Sequence, residues 1–367
     1  MNFNYSTKTL GRISDKLRHG ELLTTEDEVC FEDFRKGHRE IMNDFQSSIR
    51  QKTAREKYRN KKIIFVQRLK RRKTILNKLS ERLQTMDLIR MHDIAGGRLI
   101  FPDIPTLLQF RTEFIKSYLS RSKKYVRSNN DKYNYIDKPK DTGYRGIHDI
   151  FQEKTSGKIK AKIEIQYRTK LQHAWATACE VWDMNFQDKT KFGLSQSADI
   201  KLFFKYISEV LARFQEERPF LSISDIDLFI EIKKIEKKYQ ILAKLKKLPI
   251  LKKIECTIPS DMPQKKQFLW ILNKKMHDIE ISTYQHIYEA IENYSIAEQK
   301  ELEDTVLVKA ANKKELQKAF NNYFNDVEYF FKSWKKCLSI LKEKYPWRYK
   351  FHNFKSLEFN LEENAKK

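Results

Sequence analysis

Tyr144–Gln152 (YRGIHDIFQ) and Ile159–Tyr167 (IKAKIEIQY), parted by the turn residues Thr155-Ser156-Gly157, read as two strands of a hairpin. Along the second, Glu164, Gln166 and Arg168 alternate with Ile163, Ile165 and Tyr167, so three polar groups face one way from a sheet. Working upstream, Ala95–Phe101 (AGGRLIF) ends in a β-type apolar run that Pro102 and Pro105 stop before a helical stretch near 105–120. Residues around 25–50 and 61–86 have helical spacing without breakers, and 121–142 is polar, basic and loop-like. A helix holding Trp175 and Trp182 follows the hairpin. Helix, strand, helix, hairpin and helix together imply an α/β layer with a mixed sheet.

Further downstream the glycines stop: all nine lie in the first 193 residues. Ile200, Phe203, Ile207, Leu211 and Phe214 keep helical spacing, as do apolar positions from Ile226 to about 247. Pro249, Pro259 and Pro263 mark a linker. A strand pair (QFLWIL, DIEISTY), a helix, a strand (DTVLVKA) and a long helix then suggest a small second domain. On that last helix Phe320, Tyr323, Phe324, Val327, Phe331 and Trp334 form a stripe, which reads as a core face. The expected division is an N-terminal segment 1–24, a first domain 25–192, a helical connector and linker 193–264, an α+β accessory domain 265–345 and a tail 346–367.

Composition bounds the function. The 367 residues carry 73 Lys and Arg against 49 Asp and Glu, a net charge of +24, which directs attention to an anionic partner. With 40% hydrophobic and 13% aromatic residues there is material for real cores. No apolar run approaches the ~18 residues of a membrane span, and the start lacks the order of a signal peptide. The four cysteines form no CxxC pair, so reduced thiols and a cytoplasmic setting are expected.

Four segments carry candidate chemistry. Residues 52–82 hold thirteen basic residues against two acidic ones, among them Arg68, Lys70 and Lys78. Asp93-Ile94-Ala95-Gly96-Gly97-Arg98 puts a carboxylate and a guanidinium at the mouth of a strand. Lys138-Pro139-Lys140-Asp141-Thr142-Gly143-Tyr144-Arg145-Gly146-Ile147-His148 offers a ring for stacking on a base and a guanidinium for phosphate. The fourth is Glu164-Ile165-Gln166. Asp93 and Glu164 on neighbouring strands could hold one Mg²⁺, an ion that takes one or two carboxylates plus substrate phosphates.

In order and spacing these segments resemble the synthetase domain of the RelA/SpoT family, over roughly residues 40–190. The family's R-x-K is met by Arg68 and Lys70, its D-I-A-G-x-R by 93–98, its G-Y-R-S-x-H by GYRGIH at 143–148, its E-I-Q-x-R-T by 164–169 and its Trp-Ala helix by HAWA at 173–176. The resemblance implies a nucleotidyltransferase-like mixed sheet flanked by helices, ahead of the helical connector and the small α+β domain. It also implies transfer of pyrophosphate from ATP to a ribose 3′-hydroxyl, usually that of GDP or GTP. Carried over residue by residue, Arg68, Lys70, Lys78 and Arg98 would grip the ATP phosphates. Asp93 and Glu164 would bind Mg²⁺, Glu164 would activate the hydroxyl, and Gln166 would orient the reacting groups. Lys138, Lys140, Tyr144, Arg145, His148 and His173 would receive the acceptor nucleotide, Tyr144 by stacking and His173 by a hydrogen bond to the base. Two positions depart from the pattern: Gly146 replaces the usual serine, and Asp149 stands where an apolar residue is commoner.

Other readings compete. His-Asp pairs at 92–93, 148–149 and 277–278 suggest a metal phosphohydrolase, but two fall at strand ends inside better-matched motifs. A non-catalytic nucleic-acid-binding protein would use the basic stretches 116–140 and 233–253, the latter with nine lysines against one glutamate. Some members of the resembled family modify the 3′ end of tRNA and act as toxins, and this basic surface suits such an acceptor. An antitoxin or a second copy of the chain is the protein partner those readings imply.

Overall fold

In a computed structural model of the chain, the described residues are 5–81, 86–121, 124–154, 157, 159–186, 197–248, 254–257, 268–274, 279–284, 287–298, 304–310 and 327–358. The chain begins with helices α1 (Thr7–Arg18), α2 (Thr25–Gly37), α3 (Arg39–Thr53) and α4 (Glu56–Arg59). Ser6 and Thr24 cap the first two, each side-chain oxygen accepting a backbone N–H three residues on. Strand β1 (Ile64–Leu69), helix α5 (Arg72–Glu81), strand β2 (Ala95–Phe101) and helix α6 (Ile104–Arg121) follow. Then come β3 (Tyr125–Arg127), β4 (Ile147–Glu153), β5 (Lys162–Thr169) and α7 (Lys170–Phe186). Beyond it lie α8 (Ala198–Gln215), α9 (Asp225–Tyr239) and α10 (Ile241–Lys247). The last elements are β6 (Ile254–Thr257), β7 (Phe268–Lys274), β8 (Ile279–Tyr284), α11 (Ile287–Glu298), β9 (Asp304–Ala310), α12 (Glu328–Lys344) and α13 (Pro346–Phe351).

The helical reading of 61–86 is corrected in its first half. Ile64-Phe65-Val66 is β-branched and aromatic, and it pairs antiparallel with β2, Ile64 opposite Ile100 and Leu69 opposite Ala95. Pairing with a partner some thirty residues on outweighs the local spacing. The loop expected at 121–142 yields at Tyr125–Arg127, which pairs with β4. The long helical run toward 247 is broken at Gln240, whose left-handed φ of 53° separates α9 from α10. Pro249, Pro259 and Pro263 lie outside the described residues.

The residues form two compact units. The first comprises Met1–Tyr133, His148–Tyr167 and Lys253–Ala319; the second comprises Asn134–Ile147, Arg168–Lys252 and Phe320–Lys367. The sheet runs β3-β4-β5-β2-β1-β9-β7-β8-β6. β9 lies antiparallel beside β1, Gln67 opposite Lys309 and Arg68 opposite Val308, while β6 runs parallel to β8. The strands of 254–310 therefore extend the sheet that begins at β3, so the sequence division near 265 does not coincide with the compact units. Local periodicity carries no information on which edge a strand will join.

Within the first unit, alternation sorts the sheet into two faces. Phe65, Gly97 and Ile165 share one: a Cβ on Gly97 would come within 2.7 Å of Ile165 Cδ1 and 3.1 Å of Phe65 Cε2. A side chain at Gly97 would push the ends of Ile165 and Phe65 aside. On this side Phe151 packs on Phe45 and Phe114, from α3 and α6. Arg68, Arg98, Glu164 and Gln166 occupy the opposite face by the period of two.

The second unit is helical. Its core gathers Trp175 and Trp182 from α7, Phe203 and Phe204 from α8, Phe229 from α9 and Phe330, Phe331 and Trp334 from α12. Val327, Phe331 and Trp334 of the aromatic stripe are thus core residues; Phe320, Tyr323 and Phe324 lie outside the described residues. Residues 346–357, expected as tail, are structured: Tyr349, Phe354 and Leu357 are buried, and Trp334 Nε1 donates to Leu357 O at 3.0 Å.

Candidate active site

In the first unit, two carboxylates and their partners form the centre of the site. Asp93 sits just before β2, where Lys70 N donates to Ile94 O at 2.8 Å and ties the end of β1 to that approach. Lys70 Nζ lies 2.6 Å from Asp93 Oδ2, and Lys78 Nζ, from α5, lies 2.9 Å from Oδ1. The strand at 64–69 makes this possible: it delivers Lys70 beside Asp93, and α5 returns Lys78 to the same carboxylate. Burial pushes the Asp93 carboxyl up, but the two ammonium groups outweigh it and hold the acid well below the usual carboxylate range. Burial lowers Lys70 in turn, with Asp93 opposing and Lys78 and Arg68 reinforcing the fall. Two cations on one carboxylate leave a local positive surplus, suited to phosphate oxygens.

Glu164 and Gln166 project from β5. His148 on β4 brings Nδ1 within 2.8 Å of Glu164 Oε1, and Gln166 Nε2 donates to Glu164 Oε2 at 2.8 Å. Burial raises the Glu164 carboxyl; the charge and hydrogen bond of His148 outweigh it and bring the carboxyl down to about 2, with the charge on Asp93 opposing and the Gln166 bond adding a lesser fall. Both carboxylates are therefore anionic at neutral pH and near enough to feel one another. Among the described residues no group of three or more His, Cys, Asp and Glu side chains is arranged to hold a metal ion. Two hard, charged oxygen donors still fit Mg²⁺, which completes its shell with water and substrate phosphates. Arg98 is buried on β2 and Arg68 is half-buried on β1.

Beside His148, Asp149 points to the other side of β4 and is fully buried. It accepts from Arg111 Nε and an Arg111 terminal nitrogen at 2.8 Å each, and from Arg127 Nε at 2.8 Å. This explains the polar residue at a position where an apolar one is commoner: it neutralises two guanidinium groups from α6 and β3.

The remaining expected acceptor residues belong to the second unit. Tyr144 is only 4% exposed. Its hydroxyl accepts from Arg168 Nε at 3.2 Å, and the Arg168 guanidinium lies 5.0 Å from the ring centroid. Lys140 Nζ is 5.3 Å from the same ring and 4.5 Å from that of Tyr135. Gly143, at φ +85°, makes the turn into Tyr144; a Cβ there would meet Lys205 Cα at 2.8 Å. Lys138 is exposed and His173 is buried on α7. Arg145 departs from the expected phosphate contact. It is 3% exposed, and its guanidinium donates to Glu216 Oε2 at 2.5 Å; Glu216 also accepts from Thr169 Oγ1. Arg145 thus ties the approach to β4 to the end of α8. Sequence reading did not single out Glu216, which lies 71 residues from its partner and has no motif around it. Arg168 it placed on a polar strand face without a role; the Tyr144 ring supplies one.

No helix among the described residues is long and apolar enough to cross a membrane. Residues 67–190 match the family model described as a region found in RelA / SpoT proteins. No curated protein matches the chain. Among solved structures, the small alarmone synthetase 1 from Bacillus subtilis bound to its product pppGpp is similar at 24% identity, over 51% of this chain and 93% of that one, with a TM-score of 0.40. A GTP pyrophosphokinase family protein from Streptococcus pneumoniae is similar at 18% identity, over 60% and 96%, with a TM-score of 0.36. The Bacillus subtilis synthetase bound to AMPCPP is similar at 18% identity, over 58% and 98%, with a TM-score of 0.34. Asp93, His148, Glu164 and Gln166 all lie in the segment that matches the region found in RelA / SpoT proteins.

Proposed function

We propose that this chain is a Mg²⁺-dependent pyrophosphokinase that transfers the β,γ-pyrophosphate of ATP to the ribose 3′-hydroxyl of GDP or GTP. One observation carries the reading: within the RelA/SpoT region, an anionic carboxylate clasped by two lysines lies near a second one held by a histidine and a glutamine. In the proposed reaction the 3′-oxygen attacks the β-phosphorus of ATP, the bond from that phosphorus to the α,β-bridging oxygen breaks, and AMP leaves. Glu164 takes the hydroxyl proton, with Gln166 and His148 fixing the two carboxylate oxygens. Lys70, Lys78, Arg68 and Arg98 face the triphosphate. Asp93 and Glu164 would hold Mg²⁺, whose chemistry is to neutralise phosphate oxygens. Alignment and charge neutralisation supply most of the catalysis in such transfers.

The acceptor base is assigned to Tyr144. Tyr144→Ala should raise the acceptor KM about 5- to 150-fold, the equivalent of stacking worth roughly 1–3 kcal/mol. Tyr144→Phe should be milder, since it keeps the ring and gives up the hydroxyl that accepts from Arg168. An alanine variant with unchanged acceptor KM would move the base elsewhere.

A second reading makes the 3′ end of tRNA the acceptor, and it draws on the exposed lysines Lys234, Lys237, Lys244 and Lys247 of the second unit. Reversing these four to glutamate separates the two. Transfer to GDP or GTP should survive and vary little with salt. Transfer to tRNA should fall steeply, and its salt dependence should flatten with each phosphate that no longer meets a lysine. Incubating the protein with labelled ATP and, in parallel, GDP, GTP and total tRNA tests the reading directly: no labelled 3′-pyrophosphorylated product in any arm would end it.

A further inference from the structure

Residues Tyr345–Leu357 contain Arg348, Lys350 and Lys355 and no carboxylate. Within this stretch Trp347 and Phe351 stand one helical turn apart on α13, 69% and 68% exposed. Their rings are parallel within 14°, with centroids 5.0 Å apart. Large rings usually supply burial, so two held together in water are an unspent recognition surface. The base beneath them is firm. Tyr349 is buried and its hydroxyl donates to Glu358 at 2.6 Å, and Lys233 Nζ donates to His352 O at 2.6 Å. Arg348, Lys350 and Lys355 are all exposed in the same stretch.

We propose that this face of the second unit binds an unpaired stretch of nucleic acid, with bases stacking on Trp347 and Phe351 and phosphates meeting Arg348, Lys350 and Lys355. Charge complementarity selects the occupant. A stretch with three exposed cations, bounded by Glu343 and Glu358, favours a polyanion, and flat exposed rings favour a polyanion that itself carries flat faces. A single strand meets both demands, a duplex hides its base faces, and an acidic polypeptide offers charge alone. The net charge of +24 adds long-range attraction of the same sign.

The test uses the full chain and short fluorescent oligonucleotides, single-stranded RNA, single-stranded DNA and a duplex, followed by anisotropy over a range of salt. No ATP or GDP is added, so failure here leaves the catalytic reading untouched. Wild type should bind a single strand more tightly than the duplex. Replacing both Trp347 and Phe351 by alanine should raise the single-strand Kd about 5- to 150-fold, while Trp347→Phe should retain most of the affinity. Arg348→Glu with Lys350→Glu should weaken binding and reduce the salt slope by ~0.7 for each phosphate left without its cation; this pair decides the matter if the double alanine variant fails to fold. Four results would overturn the proposal: no binding of either strand, undiminished binding by the ring and charge variants, equal binding of polyglutamate, or a dimer that Trp347→Ala disperses.

Discussion

Glu164→Gln is expected to lower pyrophosphate transfer by about 10²- to 10⁴-fold, the usual contribution of a positioned general base. The amide keeps the shape of the side chain and can still meet Gln166, but it takes no proton and offers no charge to a cation. Asp93→Asn is expected to lower transfer by a similar order for a different reason. It removes the counter-charge of Lys70 and Lys78 together with a candidate Mg²⁺ ligand. Because Lys70 is buried, Asp93→Asn should also lower thermal stability, whereas Glu164→Gln should leave the circular dichroism spectrum and melting curve close to wild type. AMP release from labelled ATP, read together with melting curves, separates these effects. Near-full transfer by the folded Glu164→Gln protein would remove Glu164 from the chemistry.

The second large effect falls on stability. Asp149→Ala should cost up to about 3–5 kcal/mol, because it removes the buried carboxylate that Arg111 and Arg127 share and leaves both guanidinium groups only the exposed Asp131. Urea unfolding of the variant should show a lower midpoint with an unchanged slope. Adding Arg111→Met should recover part of the loss, since Asp131 then has one guanidinium to neutralise in place of two. A midpoint equal to wild type would mean that solvent reaches this cluster and the pair contributes nothing. His148, one residue away, faces Glu164, so transfer at low temperature should suffer less than stability does.

The motifs were legible because their chemistry is local. AGGRLIF announces a strand by its apolar run, and the observed β2 has the same bounds. Glu164 and Gln166 share a face because a strand alternates, which holds wherever the strand lies. The helical reading of 61–86 failed in its first half for the converse reason: Ile64–Leu69 becomes a strand only because β2 is available to pair with it.

The excess of basic residues, the order of the motifs that resemble the RelA/SpoT family, and the places of Asp93 and Glu164 within them are all visible in the sequence. Those properties reside in side-chain type and near-neighbour spacing. Tertiary structure alone decided that Lys70 and Lys78 converge on Asp93, that His148 meets Glu164, that Arg145 is occupied by Glu216 and that β9 joins β1. Each of these pairings links residues on different elements, from 15 to some 240 positions apart. Which of many chemically acceptable partners a charged group or a strand edge finds is set by the packing of the whole unit, and not by the residues beside it.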